Sequence, residues 1–239
     1  MGDATPKSPD NITNEEFQDA LSRTLSELSK FRYEEAPSLF ALKKPSRPMQ
    51  LDDVRSLVEW KLKHGKFRPT LMGLVSSNDE SSVKNTIKDA LDLYKQASDI
   101  PATIGILTKL RGIGPATASL LLAVHDPERV IFFSDEAFYW LCCHGKSGPI
   151  KYNAKEYREL SENARVLAER LEATAVDVER VAYVLMNDTR SAVSAKAPTR
   201  LIKKTAREGS AEPVSAKRKQ SPVVDDGHRV LRSKRSKRA

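Results

Sequence analysis

The chain has 239 residues, of which 39% are apolar, and a formal net charge of +8. It contains no apolar run of about 18 residues and begins with a polar segment, which excludes a membrane-spanning helix and a secretory signal peptide. Its two cysteines are adjacent and its four histidines are scattered, so a disulfide framework and a zinc-finger spacing are excluded as well. We expect a soluble, intracellular, monomeric protein with no membrane partner, no metal site and no cofactor.

The positive charge is concentrated at one end of the chain. Residues 190–239 contain 15 lysines and arginines against 4 acidic residues, whereas residues 1–189 contain 25 against 28. All 15 aromatic residues lie between Phe17 and Tyr183, so the basic tail has little with which to form a core. The predicted segments are a disordered N-terminus over 1–12, a folded domain over 13–189 and a disordered basic tail over 190–239.

The spacing of apolar residues in the folded domain predicts an all-α fold of about nine helices. Thr13 and Glu16 form a capping-box pattern at the start of the first helix. Three prolines within residues 31–50 predict a connection that wraps around the helices. Gly65 is expected to follow the end of the second helix. The predicted helices cover 13–30, 51–64, 71–76, 81–97, 101–110, 115–124, 134–143, 154–171 and 176–187.

The segment 110–118, Leu-Arg-Gly-Ile-Gly-Pro-Ala-Thr-Ala, lies between two of these helices. Gly112 and Gly114 permit a hairpin too tight for side chains, because glycine adopts left-handed backbone angles at little cost. Ile113 can then fill the angle between the helices, and Pro115 favours the first turn of the next helix. The free backbone amides of that turn form a site suited to a phosphate anion.

Together with Asp135, which lies downstream at the start of another predicted helix, this hairpin resembles a motif of the helix-hairpin-helix DNA glycosylase superfamily. Members of that superfamily combine the hairpin with a Gly/Pro-rich loop and a catalytic aspartate. The similarity covers roughly Ile104 to Leu141. It implies a helical glycosylase-like domain, double-stranded DNA as the partner, and Asp135 as the catalytic residue.

The sequence departs from this family's pattern at two places. Ala116 stands where members with lyase activity carry a lysine nucleophile, so imine chemistry is not available at that position. Glu136 and Ala137 stand where the family usually has threonine and histidine. The resemblance therefore implies a monofunctional enzyme, in which Asp135 activates water or stabilises positive charge on the sugar as a damaged base departs.

We expect DNA to be bound by the hairpin and by a basic segment that follows Trp60. The expected contact residues are Arg111, Gly112, Ile113, Gly114, Pro115, Ala116, Thr117, Lys61, Lys63, Lys66 and Arg68. Each feature also has a purely structural interpretation. The hairpin can be a tight turn between helices, and Asp135 can belong to a helix-capping pattern. The basic segment can be an ordinary helix end with Trp60 and Phe67 in the core.

The basic tail carries three clusters that are typical of nuclear import signals or of non-specific phosphate contacts. The predicted signal residues are Lys217, Arg218, Lys219, Lys234, Arg235, Lys237 and Arg238. We therefore expect a nuclear protein that binds an import receptor through its tail, although the tail can also be a solubilising extension.

Three functions fit these features. The first is DNA binding by a protein that resembles a monofunctional base-excision glycosylase. The second is a non-catalytic helix-hairpin-helix adaptor in DNA repair or chromatin assemblies. The third is an interaction scaffold whose hairpin only packs and whose tail alone binds nucleic acid. Base release that depends on Asp135 would select the first function.

Overall fold

The computed structural model describes residues 6–22, 27–66 and 68–195. The regular structure in these ranges is helical, with no strand, so the prediction of an all-α fold is confirmed for this part of the chain. A π-helical turn, Phe31–Glu35, joins the helix Glu27–Lys30 to the helix Ala36–Phe40. The α-helices are α1 (Asn14–Ser22), α2 (Glu27–Lys30), α3 (Ala36–Phe40), α4 (Leu51–His64), α5 (Leu71–Ser76), α6 (Glu80–Ala97), α7 (Ile100–Leu107), α8 (Pro115–His125), α9 (Asp135–Cys142), α10 (Ala154–Leu171) and α11 (Ala175–Ala195).

Local sequence determines where several helices begin. At α1 the Thr13 hydroxyl accepts a hydrogen bond from the Glu16 amide at 3.2 Å, and the Glu16 carboxylate accepts one from the Thr13 amide at 3.0 Å. The predicted capping box is therefore confirmed. At α10 the Asn153 side chain accepts from the Glu156 amide at 2.9 Å in the same way. Helices α5 and α10 have the bounds that apolar spacing predicts.

Residues 31–40 are helical, although the sequence predicts a connection there. Pro37 lies in the first turn of α3, where the missing N–H of proline is not needed. The preceding π-helical turn places Arg32 in the interior, where its side chain is fully buried. There Arg32 Nη2 donates to Glu179 Oε2 of α11 at 2.9 Å. The prolines therefore interrupt only the segment 41–50.

Residues 6–12 pack against the helical body, so the prediction of a disordered N-terminus does not hold for them. The Trp140 indole nitrogen donates to the Lys7 carbonyl at 2.7 Å. The Arg170 guanidinium donates to the Pro9 carbonyl at 2.6 Å and to the Ile12 carbonyl at 3.1 Å. Ile12 is almost completely buried. This segment therefore belongs to the folded domain.

The C-terminal helix continues past residue 189, where the sequence predicts that the domain ends. Helix α11 reaches Ala195 and belongs to a unit that is assigned through Ala197. Within the described ranges, no helix is both long enough and apolar enough to cross a membrane. The predicted import residues lie outside the described residues; they are Lys217, Arg218, Lys219, Lys234, Arg235, Lys237 and Arg238.

Helices α8 and α9 form the centre of the core. Every residue of α8 from Thr117 to His125 is buried, and so is every residue of α9 from Glu136 to Leu141. Helices that are buried on all sides are enclosed by other elements. Here α3, α4 and α7 pack against α8, while α10 and α11 pack against α9. Pro115 and Ala116 at the start of α8 and Asp135 at the start of α9 are only partly buried, so the two helices bring two chain segments to one place on the protein.

Candidate nucleic-acid interface

The hairpin between α7 and α8 depends on one of its two glycines. Gly112 has a φ of +77°, and a β-carbon there would lie 3.0 Å from both Leu74 Cβ and Val75 Cγ2 of α5. Gly114 has a φ of −87°, and a β-carbon there would meet nothing within 4 Å. The prediction of left-handed backbone angles is therefore right for Gly112 and wrong for Gly114. Gly114 instead leaves open space in front of α8.

Asn78, which follows α5, attaches the hairpin to the rest of the protein. Its side-chain oxygen accepts from the Arg111 amide at 2.8 Å, and its side-chain nitrogen donates to the Arg111 carbonyl at 2.8 Å. The same nitrogen donates to the Val75 carbonyl at 2.8 Å. Ile113, at the tip of the hairpin, is 4% exposed and fills the angle between the helices, as predicted. The hairpin backbone is thus held in place without a ligand.

Helix α8 begins without a side-chain cap. Gly114 is its N-cap residue and provides no side-chain hydrogen bond, and Pro115 occupies the first turn. The amides of Ala116 and Thr117 belong to that turn, where no carbonyl of the same helix can accept from them. These amides and the positive end of the helix dipole therefore present partial positive charge to an approaching anion.

One cavity connects the hairpin, the end of α4 and the start of α9. Its volume is about 260 Å³. It is lined by Tyr33, Trp60, Lys61, His64, Gly65, Lys66, Arg68, Leu71, Gly112, Gly114, Pro115, Ala116, Thr117, Phe132, Phe133, Ser134, Asp135, Glu136, Tyr152, Glu179 and Tyr183. The hairpin, part of the basic segment and Asp135 are distant in sequence, and the fold brings them to this cavity.

Asp135 lines the cavity and is not the residue that caps α9. The N-cap is Ser134, whose hydroxyl accepts from the Ala137 amide at 3.1 Å. The Asp135 carboxylate, which is 18% exposed, lies 3.2 Å from Lys66 Nζ through Oδ2. Its other oxygen, Oδ1, accepts a hydrogen bond from the Tyr152 hydroxyl. Asp135 is thus an acidic first-turn residue behind a Ser134 cap, as the helix-capping pattern predicts, and its carboxylate also lines the cavity.

The basic segment divides between the cavity and the outer surface. Lys61, Lys66 and Arg68 line the cavity, whereas Lys63 does not. Lys63 is exposed and its ammonium group lies 2.6 Å from the Glu59 carboxylate, one helical turn earlier. Arg111 is exposed and also lies outside the cavity lining. Phe67 lies outside the described residues.

Lys61 differs from its neighbours in burial and in partners. Its side chain is partly buried and forms neither a hydrogen bond nor an ion pair with the described residues. Burial lowers the pKa of Lys61 below its usual value, the nearby Arg68 lowers it further, and Asp135 acts in the opposite direction. The amine is therefore unprotonated more often than that of an exposed lysine.

The buried part of the cavity wall that Tyr33 and Glu179 form is called its floor, and Glu179 there pairs with Arg32, which does not itself line the cavity. Glu179 accepts hydrogen bonds from Arg32 at 2.9 Å and from the Tyr33 hydroxyl at 3.1 Å. Burial raises the pKa of Glu179 and that of Tyr33. Trp60 is 3% exposed and stacks on His64, with ring centroids 4.6 Å apart. Trp60 thus belongs to the core, as its structural interpretation predicts, and also forms part of the cavity wall.

Sequence reasoning missed several polar residues of this cavity, among them Tyr33, Tyr152 and Glu179. Glu179 carried a detectable signal, because it is a carboxylate within the apolar pattern of α11, and buried carboxylates are rare without a partner. Tyr33 lies in a segment that the sequence predicts to be a connection, and Tyr152 lies outside the regular helices. Nothing in their local sequence distinguishes these tyrosines from core residues.

No protein-family model matches the sequence, and comparisons with curated proteins and with solved structures find no match. Among the described residues, no group of three or more histidine, cysteine, aspartate or glutamate side chains is placed to hold a metal ion.

Proposed function

We propose that this protein binds double-stranded DNA through the hairpin and receives a nucleotide in the adjoining cavity, as a nuclear protein that resembles a monofunctional DNA glycosylase. The observation that carries the proposal is the shared cavity. An uncapped helix start, three basic side chains and the Asp135 carboxylate all line it. This arrangement combines an anion site with a carboxylate, which are the two parts that base removal requires.

The first turn of α8 suits a DNA phosphate. Its amides have no side-chain acceptor, and the open space at Gly114 permits close approach of a sugar-phosphate chain. Lys66 and Arg68 are exposed at the same cavity and add positive charge to a folded part whose overall charge is slightly negative. A local contact of this kind positions the duplex without reading its sequence.

The inner wall of the cavity suits a nucleobase. Aromatic rings stack on bases with little dependence on base identity, and an enzyme that acts on a base must first turn it out of the duplex. The aromatic residues of the wall are Tyr33, Trp60, Phe132, Phe133, Tyr152 and Tyr183. A base bound among these rings would leave its sugar near the mouth, where Asp135 lies.

Asp135 is placed to act on that sugar. A carboxylate beside the sugar stabilises the positive charge that develops when the base departs, or activates the attacking water. Tyr152 holds one carboxylate oxygen, and Lys66, which is 69% exposed, contacts the other. An exposed ion pair costs little to open, so Lys66 can move to a phosphate when DNA binds. The second oxygen of Asp135 then becomes available.

DNA binding is tested with a chain that ends at Ala197, because the basic tail would conceal the contribution of the hairpin. We expect Gly114→Glu to weaken duplex binding at least about tenfold. The slope of log binding constant against log salt concentration should fall by the amount expected for the loss of about one phosphate contact. Gly105→Glu is the matched control, since Gly105 is exposed on α7 and a β-carbon there meets nothing within 4 Å. Equal affinities of the two variants would contradict the proposed interface.

Base release is tested on duplexes that carry uracil, alkylated bases or oxidised bases. We expect Asp135→Asn to reduce release by about 100-fold or more while duplex affinity is retained. The control is Asp52→Asn, because Asp52 is an exposed first-turn aspartate of α4 that pairs with Arg55. Duplex binding without any release from the unsubstituted chain would instead favour a non-catalytic adaptor in DNA repair or chromatin assemblies.

Nuclear import is proposed for the basic tail and has its own test. A fluorescent fusion of the full chain should accumulate in the nucleus, and the chain that ends at Ala197 should lose this enrichment. Replacing the lysines and arginines of the predicted clusters with glutamine should have the same effect. Nuclear enrichment that survives these replacements would contradict an import signal in the tail.

A further inference from the structure

We propose that a second cavity, beside α6, is the docking site for an acidic peptide segment of a partner protein, with one tryptophan or tyrosine side chain as its anchor. The aromatic side chain enters the cavity, and carboxylates on either side of it pair with lysines at the rim. The inference does not depend on the proposed DNA binding. None of the residues that we expect to contact DNA lines this second cavity.

The second cavity, which we call the α6 cavity, lies at the opposite end of α8 from the hairpin. Its lining comes from α6, from the segment 40–49 and from His125, the last residue of α8. Helix α8 has 11 residues and therefore extends about 16 Å. Among the described residues, none lines both the α6 cavity and the cavity at the hairpin. A partner in the α6 cavity therefore leaves the hairpin accessible.

The wall of the α6 cavity is largely apolar. Phe40, Met49 and Ile87 line it and are almost completely buried. Leu42 and Leu91 also line it and are partly buried. The volume is about 330 Å³, which falls within the range of about 300–1,000 Å³ that is typical of ligand pockets. Such a wall suits a large apolar side chain, because the burial of apolar surface drives protein association.

His125 adds one polar requirement to this wall. Its side chain is 5% exposed, and Nδ1 lies 2.7 Å from the Phe40 carbonyl oxygen, so Nδ1 carries the proton. Nε2 is therefore an acceptor, and no described residue donates a hydrogen bond to it. Burial lowers the pKa of the His125 imidazole to about 4, which keeps the ring neutral at pH 7. Tryptophan and tyrosine combine an apolar body with the N–H or O–H donor that this acceptor lacks.

The rim of the α6 cavity has an excess of positive charge. The charged lysine, arginine and aspartate residues of the lining are Arg47, Lys84, Lys88, Lys95 and Asp92. Residues 1–189 as a whole contain fewer basic than acidic residues, so this excess is local. Charge complementarity therefore favours a partner segment that carries carboxylates.

Two of the basic side chains are available to such a partner. Arg47 and Lys88 are already paired with aspartates, at 2.6 Å and 2.7 Å. Lys84 and Lys95 are exposed and form no hydrogen bond or ion pair with another described residue. They lie 11 residues apart on one face of α6, with Leu91 between them, and therefore about 16 Å apart along the helix. One small anion cannot contact both lysines, whereas an extended peptide of about five residues spans this distance.

The test is a peptide selection with the full-length chain. The library contains short peptides with one central tryptophan and random flanking residues, and we expect the selected peptides to carry aspartate or glutamate on both sides. Their affinity should fall at least about tenfold when Lys84→Glu is combined with Lys95→Glu, because the rim would then repel the carboxylates. The matched control combines Lys146→Glu with Lys155→Glu, since these exposed lysines line neither cavity. The basic tail is identical in all three chains, so it cannot cause the difference.

Photo-cross-linking locates the anchor independently of these variants. A selected peptide with benzoylphenylalanine in place of tryptophan should attach to α6 or to the segment 40–49. Attachment to the tail alone would overturn the proposal, and so would selected peptides without acidic flanks. Binding of decanoate in the α6 cavity when no peptide is selected would indicate a small-molecule pocket and overturn it. Loss of the cross-link on addition of duplex DNA would show that nucleic acid occupies the rim and would overturn it as well.

Discussion

Two ion pairs, each with its carboxylate in the lining of the cavity at the hairpin, have similar chemistry but differ in exposure. At the floor, the side chains of Arg32 and Glu179 are 0% and 3% exposed. At the mouth, those of Lys66 and Asp135 are 69% and 18% exposed. A buried pair cannot lose one member without leaving an uncompensated charge, whereas an exposed pair opens at little cost. The floor pair is therefore suited to structure, and the mouth pair is suited to exchange with a ligand.

The partners of the two carboxylates support the same distinction. Both oxygens of Glu179 are taken by protein groups, one by Arg32 and the other by the Tyr33 hydroxyl. Asp135 has one oxygen fixed by Tyr152, and within the described ranges the other is paired with the exposed Lys66. If burial were the only criterion, Glu179 would be selected as the functional carboxylate. The oxygen that a ligand can reach belongs to Asp135.

The largest expected effect is at the floor. We expect Arg32→Met to lower the free energy of unfolding by about 3–5 kcal/mol, because Glu179 would remain buried without its cation. Lys66→Met should change it by less than about 1 kcal/mol. Urea denaturation of the full chain measures both values. Similar losses in the two variants would remove the distinction between floor and mouth.

A double variant sharpens this result. Arg32→Met combined with Glu179→Met should recover more than half of the stability lost in the Arg32 variant, because two apolar side chains can occupy the volume of a buried ion pair. The loss is largely the penalty for one unpaired charge. If the double variant were less stable than Arg32→Met alone, the two side chains would not act as a pair.

The hairpin shows the same contrast between a packed side and an open side. We expect Gly112→Ala to lower the free energy of unfolding by about 1–3 kcal/mol, since the new β-carbon would press against α5 at a positive φ. Gly114→Ala should change it by less than about 0.5 kcal/mol. Thermal unfolding followed by circular dichroism distinguishes them. A large loss at Gly114 would show that this residue is needed for folding.

Lys61 lies between floor and mouth, and its effect should depend on pH. The folded-state pKa is below the usual value of 10.5, so the folded chain loses the proton at a lower pH than the unfolded chain. The cost of burying the charge is present at neutral pH and disappears as pH rises through 10.5. Lys61→Met should therefore raise stability at pH 7 by under about 1 kcal/mol, with a smaller gain near pH 10.5. A gain that grows with pH would contradict this assignment.

The smallest expected effect is at the mouth. Asp135→Asn should change the free energy of unfolding by less than about 0.5 kcal/mol, because asparagine can still accept from Tyr152 and the lost ion pair is exposed. Urea denaturation at pH 7 measures this change. A loss of several kcal/mol would show that Asp135, like Glu179, is needed for folding. A loss of base release in the same variant would then be explained by unfolding and not by a catalytic role.

The sequence predicts those features of the fold that depend on residues close together in the chain. The capping box at Thr13, the bounds of α5 and the burial of Ile113 all follow from neighbouring residues. The helix over residues 31–40 could not be predicted in this way. Its Arg32 pairs with Glu179, which lies 147 residues away in the chain, and no local pattern contains that contact.

The sequence predicted which residues belong to the candidate site better than it predicted how those residues are arranged. Lys61 and Lys63 look equivalent in a basic segment, yet one lines the cavity and the other faces solvent. Helical spacing contained the signal, because Lys61 follows the buried Leu57 and Val58 by four and three residues and therefore shares their face. The role of Tyr152 depends on the packing of the segment before α10, which spacing does not reveal.

The bonds between Asn78 and the Arg111 backbone also affect hydrogen exchange. Arg111 is exposed, but its amide proton is held by a side chain from another element. That proton can exchange with solvent only when the hairpin separates from the end of α5. A single slowly exchanging amide outside the helices would therefore report the free energy of that local opening, and acceleration by Asn78→Asp, which loses the donor to the Arg111 carbonyl, would identify the contact that limits it.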